Sequence, residues 1–171
     1  MRNGFTLVET LIVVAITLFL SGMLLSYNRS TDNQVVLAAE QARVAGVLFR
    51  AKSFALQKNV QRGATEACGF GVHFEKTGGR LILYGDIPSP GENCAASDNA
   101  YVPGEEIEEV VLNPRVAIYS YSEDPTATSF DIFVRSPYLE TVGAGTITLE
   151  LTATGDTRDI VVGEGGAIGT P

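Results

Sequence analysis

The hydrophobic and polar positions of this chain fall into three regimes. Residues 5–25 read FTLVETLIVVAITLFLSGMLL, an apolar run whose only charged member is Glu9. As a helix this run would span about 31 Å, the thickness of a bilayer's hydrocarbon core, so it is a transmembrane candidate. Arg2 precedes it, and the bias of basic residues toward the cytoplasm predicts a cytoplasmic N-terminus with everything from residue 30 onward outside. A cleaved secretory signal follows a similar plan. Against it, no small-x-small site follows Leu25, where the chain reads SYNRSTDN; the run is long for such a signal, and an acid interrupts its start.

The second regime, residues 34–59, reads QVVLAAEQARVAGVLFRAKSFALQKN. Apolar residues recur at 37, 44, 48, 51 and 55 and again at 38, 42, 45, 49 and 56, with Gln41, Arg43, Arg50, Lys52, Gln57 and Lys58 opposite. This spacing predicts an amphipathic helix. Between the two runs, STDN at 30–33 either caps a new helix or bends a continuous one; with Gly22 it is the weak point of the helical half.

From Gly63 the period shortens to strand-like runs broken by Gly and Pro. GFGVHFE at 69–75 and RLILYGD at 80–86 flank KTGG, a hairpin signal. Further strands are expected in EEIEEVVL (105–112), RVAIYSYS (115–122), SFDIFVRS (129–136), GTITLELT (145–152) and RDIVVG (158–163). Their spacing predicts one antiparallel sheet, whose missing layer the helix stripe supplies. Residues 86–104 read as a long irregular loop. Phe70, Phe74, Tyr119, Phe130 and Phe133 are expected in the core.

Charge sharpens this division. The formal net charge of −8 is uneven: seven Lys/Arg face three Asp/Glu in residues 1–62, two face five in 63–99, and three face twelve in 100–171. An acidic head repels a phosphate backbone, which argues against nucleic acid as a partner. The 171 residues suit one modest head plus an appendage. Cys68 and Cys94 would pair as a disulfide if the head lies outside the cytoplasm, or stay as two buried thiols if it does not. A pair closing this loop would contribute about 3.5 kcal/mol in the chain-entropy account.

The start of the chain carries a resemblance. Gly4-Phe5-Thr6-Leu7-Val8-Glu9-Thr10-Leu11-Ile12-Val13 resembles the N-terminal signal of type IV pilins and pseudopilins: a short basic leader ending in Gly, then Phe, then Glu four residues later. The resemblance implies that a membrane-embedded prepilin peptidase cuts between Gly4 and Phe5 and that Phe5 becomes N-methylated. It implies a role for Glu9 in assembly, pairing with the amine of a neighbouring subunit's Phe5 where packed helices exclude water. It also implies a pilin-like α+β fold, a long N-terminal helix packed on an antiparallel head. Its expected partners are the peptidase, other pilin or pseudopilin subunits, an inner-membrane platform with its ATPase, and membrane lipid before assembly. Residues 42–61, and TGDTRDIVVGEGGAIG near the C-terminus, are similar to minor pilins of the GspH/FimT type. Two departures stand out: no Pro occurs before Pro88, and only Arg158 follows Arg135, which weakens a DNA-uptake role.

Other chemistry is sparse. His73 is the sole histidine and sits within a predicted strand, and there is no Gly-x-Ser-x-Gly element, so no enzymatic activity is expected. Glu105, Glu106, Glu108 and Glu109 form a carboxylate cluster, and Glu123-Asp124 a smaller one. Some pseudopilins bind calcium through head carboxylates, but no Asp-x-Asp-x-Asp-Gly loop is present and no cofactor is expected. The reading is a prepilin-like subunit of a pilus, or of a type II secretion or competence pseudopilus: leader 1–4, membrane and filament-core helix 5–29, amphipathic half 30–62, and extracytoplasmic head 63–171. It starts in the inner membrane and ends in the filament. The rival is a singly anchored extracytoplasmic binding protein or enzyme that never assembles.

Overall fold

The computed structural model describes residues 6–57, 60–61, 65–88, 93–95, 97–136 and 138–171, with side chains described outside 25–30, 60–61 and 65–66. Helix α1 runs Leu7–Leu56. It starts where Thr6 can cap it, since the Thr6 hydroxyl accepts a hydrogen bond from the Glu9 N–H at 3.3 Å. Hydroxyls inside the apolar run are satisfied locally. Those of Thr10, Thr17 and Ser21 donate to carbonyls of the preceding turn, so they do not interrupt it. STDN neither caps nor ends the helix, because 30–33 are helical.

The chain divides into two compact units, Met1–Val36 and Leu37–Pro171. In the second unit, the helix residues 37–56 are followed by short paired strands β1 (Val60–Gln61) and β2 (Thr65–Glu66). Next come β3 (Gly69–Glu75), β4 (Arg80–Asp86), β5 (Glu106–Val111), β6 (Val116–Tyr121) and β7 (Ser129–Arg135). The chain closes with β8 (Thr141–Val142), β9 (Gly145–Leu151), β10 (Thr157–Val162) and β11 (Ile168–Gly169).

The expected single sheet is two antiparallel sheets, ordered β5-β4-β3-β7-β8 and β11-β10-β9-β6. The KTGG hairpin forms as expected, Glu75 pairing with Arg80 and Gly78 and Gly79 taking positive φ of 88° and 59°. The chain changes sheets after β5. There Val116 N–H donates to Asn113 O at 2.8 Å and Arg115 N–H to Asn113 Oδ1 at 3.0 Å, a tight turn around Pro114. β6 therefore pairs with β9, and β7 returns beside β3.

One core joins these layers. Phe130 of β7 stacks on Phe74 of β3 at 4.7 Å between ring centroids and on Tyr121 of β6 at 4.2 Å, linking the two sheets. The helix contributes Leu37, Val44, Ala45, Val47, Leu48, Ala51 and Ala55, all buried, and Phe54 meets Phe70 edge-on. Two details of the expected stripe are corrected. Gln41 is buried rather than facing solvent, its amide donating to Asp159 O at 2.7 Å. Ala42, Phe49 and Leu56 are exposed, because a 3.6-residue period carries them around from the Leu37–Val44–Leu48 face. Tyr119 is also exposed rather than core. It alternates with the buried Val116 and Ile118, and a bulge between Ile118 and Ser120 then returns Tyr121 to the core.

Polar ties fix the helix residues of the second unit to both sheets. Lys52 Nζ donates to Gly166 O at 2.9 Å, Ser136 Oγ to Ala55 O at 2.7 Å and Arg43 Nη1 to Val111 O at 3.0 Å, while Arg50 pairs with Glu108.

Candidate functional site

Leu7–Leu24 has a mean hydropathy of 2.3, and none of it is buried within the chain. Leu7, Leu11, Leu18 and Leu24 each expose more than 60 % of their surface, a state that water tolerates poorly over so long a run. Burial must come from lipid or from other helices. Glu9 lies in the first turn of this run, where the positive end of the helix dipole favours a carboxylate. Its backbone N–H is bonded by Thr6, and its side chain faces outward. The expected cleavage pair, Gly4 and Phe5, lies outside the described residues.

Cys68 and Cys94 are bonded. Cys68 N–H donates to Asp86 O at 2.8 Å and Ser136 N–H to Cys68 O at 3.1 Å, so the bond joins the loop after β4 to the base of β3. Its residues 97–101 are strapped across the sheet face opposite the helix. Ser97 donates to the buried Asp86 carboxylate. Tyr84 OH donates to Asn99 O at 3.1 Å, and Arg135 Nε to Asn99 Oδ1 at 3.1 Å. The Tyr101 ring covers His73, 4.9 Å between centroids, and its hydroxyl donates to Glu106. Gly71 leaves room for the Tyr84 ring, since a Cβ there would meet it at 2.6 Å. The strap escaped the sequence reading; the only signal was Asn99, a residue type that tolerates the left-handed φ of 58° it adopts.

His73 and Asp131 stand opposite each other on β3 and β7, Nδ1 3.0 Å from Oδ1. The imidazole thus has a hydrogen-bond partner and an aromatic cover. The carboxylates of 105–109 are spread over separate partners. Glu105 accepts from Ile87 N–H at 3.1 Å and Val102 N–H at 3.0 Å, and burial raises its pKa. Glu106 accepts from Tyr101 OH and from Gly104 N–H at 2.9 Å, which lowers its pKa. Glu108 pairs with Arg50 and Glu109 with Arg80. Asp124 accepts from the Thr126 hydroxyl, then from Thr126 N–H and Ala127 N–H, which hold its carboxyl below the usual range. Among the described residues, no three His, Cys, Asp or Glu side chains are grouped to hold a metal.

Residues 1–25 match the family model described as the prokaryotic N-terminal methylation motif. No curated protein and no solved structure matches the chain.

Proposed function

We propose, from the premise that this methylation motif supports membership of the type IV pilin and pseudopilin family, that the chain is a structural, minor subunit of a pilus or of a secretion or competence pseudopilus. The observation that carries this reading is the unburied span Leu7–Leu24 with its single carboxylate at Glu9. A permanent lipid anchor needs the apolar length and draws from an acid at its start no more than the modest helix-dipole benefit. Helices drawn out of lipid and packed together need both, because the apolar faces bury one another and the acid can meet a neighbour's amine. On this reading prepilin peptidase cuts between Gly4 and Phe5 and methylates Phe5. The N-terminus faces the cytoplasm, the head lies outside, and a platform with its ATPase moves the subunit from the inner membrane into the filament.

The exposed apolar residues farther along α1, Phe49 and Leu56, suit the same packing. The acidic surface of residues 100–171 gives no footing for DNA. N-terminal mass analysis of the protein purified from membranes tests the reading. N-methyl-Phe5 as the first residue is the expected result; an intact Met1, or a cut near residue 28, would leave a singly anchored extracytoplasmic protein instead.

A further inference from the structure

Among the described residues, the side chains that β6, β9 and β10 turn away from the core bond neither the helix nor the strap; the helix reaches this sheet at a backbone atom, Asp159 O. Alternation along β9 and β10 turns Ile147, Leu149 and Ile160 into the core and leaves Thr146, Thr148, Asp159 and Val161 on the other side. β6 departs from alternation. Its register steps between Ile118 and Ser120, and Ile118 and Tyr121 are both buried, so the two residues between them turn outward together. Alternation after Ile118 leaves Tyr119 61 % exposed, and the bulge adds Ser120 to the same side.

Ser120 sits opposite Thr148 across the β6–β9 pair, with Tyr119 the extra residue of the bulge beside it, and Thr148 sits opposite Asp159 across the β9–β10 pair. The Thr148 hydroxyl donates to Asp159 Oδ1 at 2.8 Å. One row toward the β6 end, the Ser122 hydroxyl accepts from Thr146 N–H at 2.8 Å. The face is therefore an aromatic plate beside a row of hydroxyls and two carboxylates, Asp159 and Glu150, about 10 Å wide across three strands. Tyr119 and Val161 are the only large apolar side chains that the described residues of β6, β9 and β10 expose.

We infer that this face binds a neutral polysaccharide, with Tyr119 stacking on a sugar ring and Ser120, Thr148 and Asp159 bonding its hydroxyls. The charge decides the ligand class. Residues 100–171 carry twelve acidic against three basic side chains, which repels polyanions such as nucleic acid, anionic lipid surfaces and acidic glycans. Two apolar side chains are too few for the hydrophobic centre of a protein interface. A neutral sugar chain presents what remains: an apolar C–H face to stack on an aromatic ring, and many donors and acceptors at its edges. The bulge is the feature that needs explaining, because without it an alternating β6 would not place Tyr119 and Ser120 on one side.

The test uses the full chain in lipid nanodiscs and an array of neutral glucan, mannan and chitin hexasaccharides, with heparin as the anionic probe. The expected result is binding to at least one neutral hexasaccharide and none to heparin. Tyr119→Ala should weaken that binding at least tenfold and Thr148→Val by less, while Tyr119→Phe retains it. Tyr119 is exposed, so thermal melting of all three variants should stay close to the parent. No binding to any neutral hexasaccharide, preferential binding to heparin, or equal binding by Tyr119→Ala would overturn the inference.

Discussion

A single carboxylate in an apolar run is the residue on which the assembly reading stands. Leaving an ion unpaired among packed apolar helices costs several kcal/mol, and removing one partner of a buried pair typically costs about 3–5 kcal/mol. Glu9→Ala should therefore leave cleavage after Gly4 intact, because the cut residues are unchanged, and should abolish incorporation into filaments. Mass spectrometry of the membrane fraction and blotting of sheared filaments separate the two effects; filaments carrying the variant at parental levels would refute the pairing of Glu9 with a neighbouring amine. Tyr101 and Glu106 give a second residue-level expectation. The Tyr101 hydroxyl, then the Gly104 N–H, hold Glu106 below its ordinary value of 4.5, so Glu106 stabilises the strap above that value and loses its effect as pH falls through the depressed one. Tyr101 is pushed up to about 12, first by loss of water and then by its bond to Glu106, so it contributes below 10 and fails as pH rises through about 12. Exchange of the Gly104 amide should be slowest between roughly pH 4.5 and 10 once the intrinsic base catalysis of exchange is divided out. In Tyr101→Phe, Glu106 should titrate closer to 4.5 by NMR; an unchanged titration would show that the hydroxyl is not the cause.

At the scale of elements, the two faces of α1 make opposite predictions. Leu48 is buried under the sheets and Phe49, its neighbour, is half exposed. Leu48→Ala should destabilise the second unit by about 2–5 kcal/mol in denaturant unfolding, and Phe49→Ala by less than about 0.5 kcal/mol. Equal losses would mean that the buried stripe is misassigned. The strands were legible wherever local patterning was complete: 69–75 and 80–86 match β3 and β4, since alternation and a Gly-Gly turn lie within one hairpin. What local patterning could not show is which distant strands pair. The β3–β7 and β6–β9 ladders join segments far apart in sequence, and their choice rests on a shared core, not on turn chemistry. Two-residue strands such as β8 and β11 are too short to show a period. Gln41 and Tyr119 were misread for one reason: residue type was put ahead of spacing. The 3.6-residue period sets Gln41 on the Leu37–Val44–Leu48 face, where its amide meets Asp159 O, and alternation sets Tyr119 opposite the buried Ile118. At the start of the chain the motif spacing and the unburied run were plain in the sequence, whereas the strap over His73 had only Asn99 to announce it.

At the scale of the whole molecule, the Cys68–Cys94 bond and the strap beyond it should prove separable. Cross-linking residues 26 apart restricts the unfolded chain and contributes about 3.5 kcal/mol in the chain-entropy account. Reduction, or the double variant Cys68→Ser/Cys94→Ser, should lower unfolding stability by about that amount. The strap has anchors of its own. Asp86 holds Ser97, Tyr84 and Arg135 hold Asn99, Glu106 holds Tyr101, and Glu105 bonds the amides of Ile87 and Val102. Each such bond contributes on the order of 1 kcal/mol, and several act on one short segment. Hydrogen exchange on the reduced protein should therefore show faster exchange at Cys94 and Ala95 while the amides of Val102 and Gly104 stay protected. Loss of protection at all four amides together would show instead that the covalent bond alone holds the strap over the sheet, and that Tyr84 and His73 depend on it for their cover.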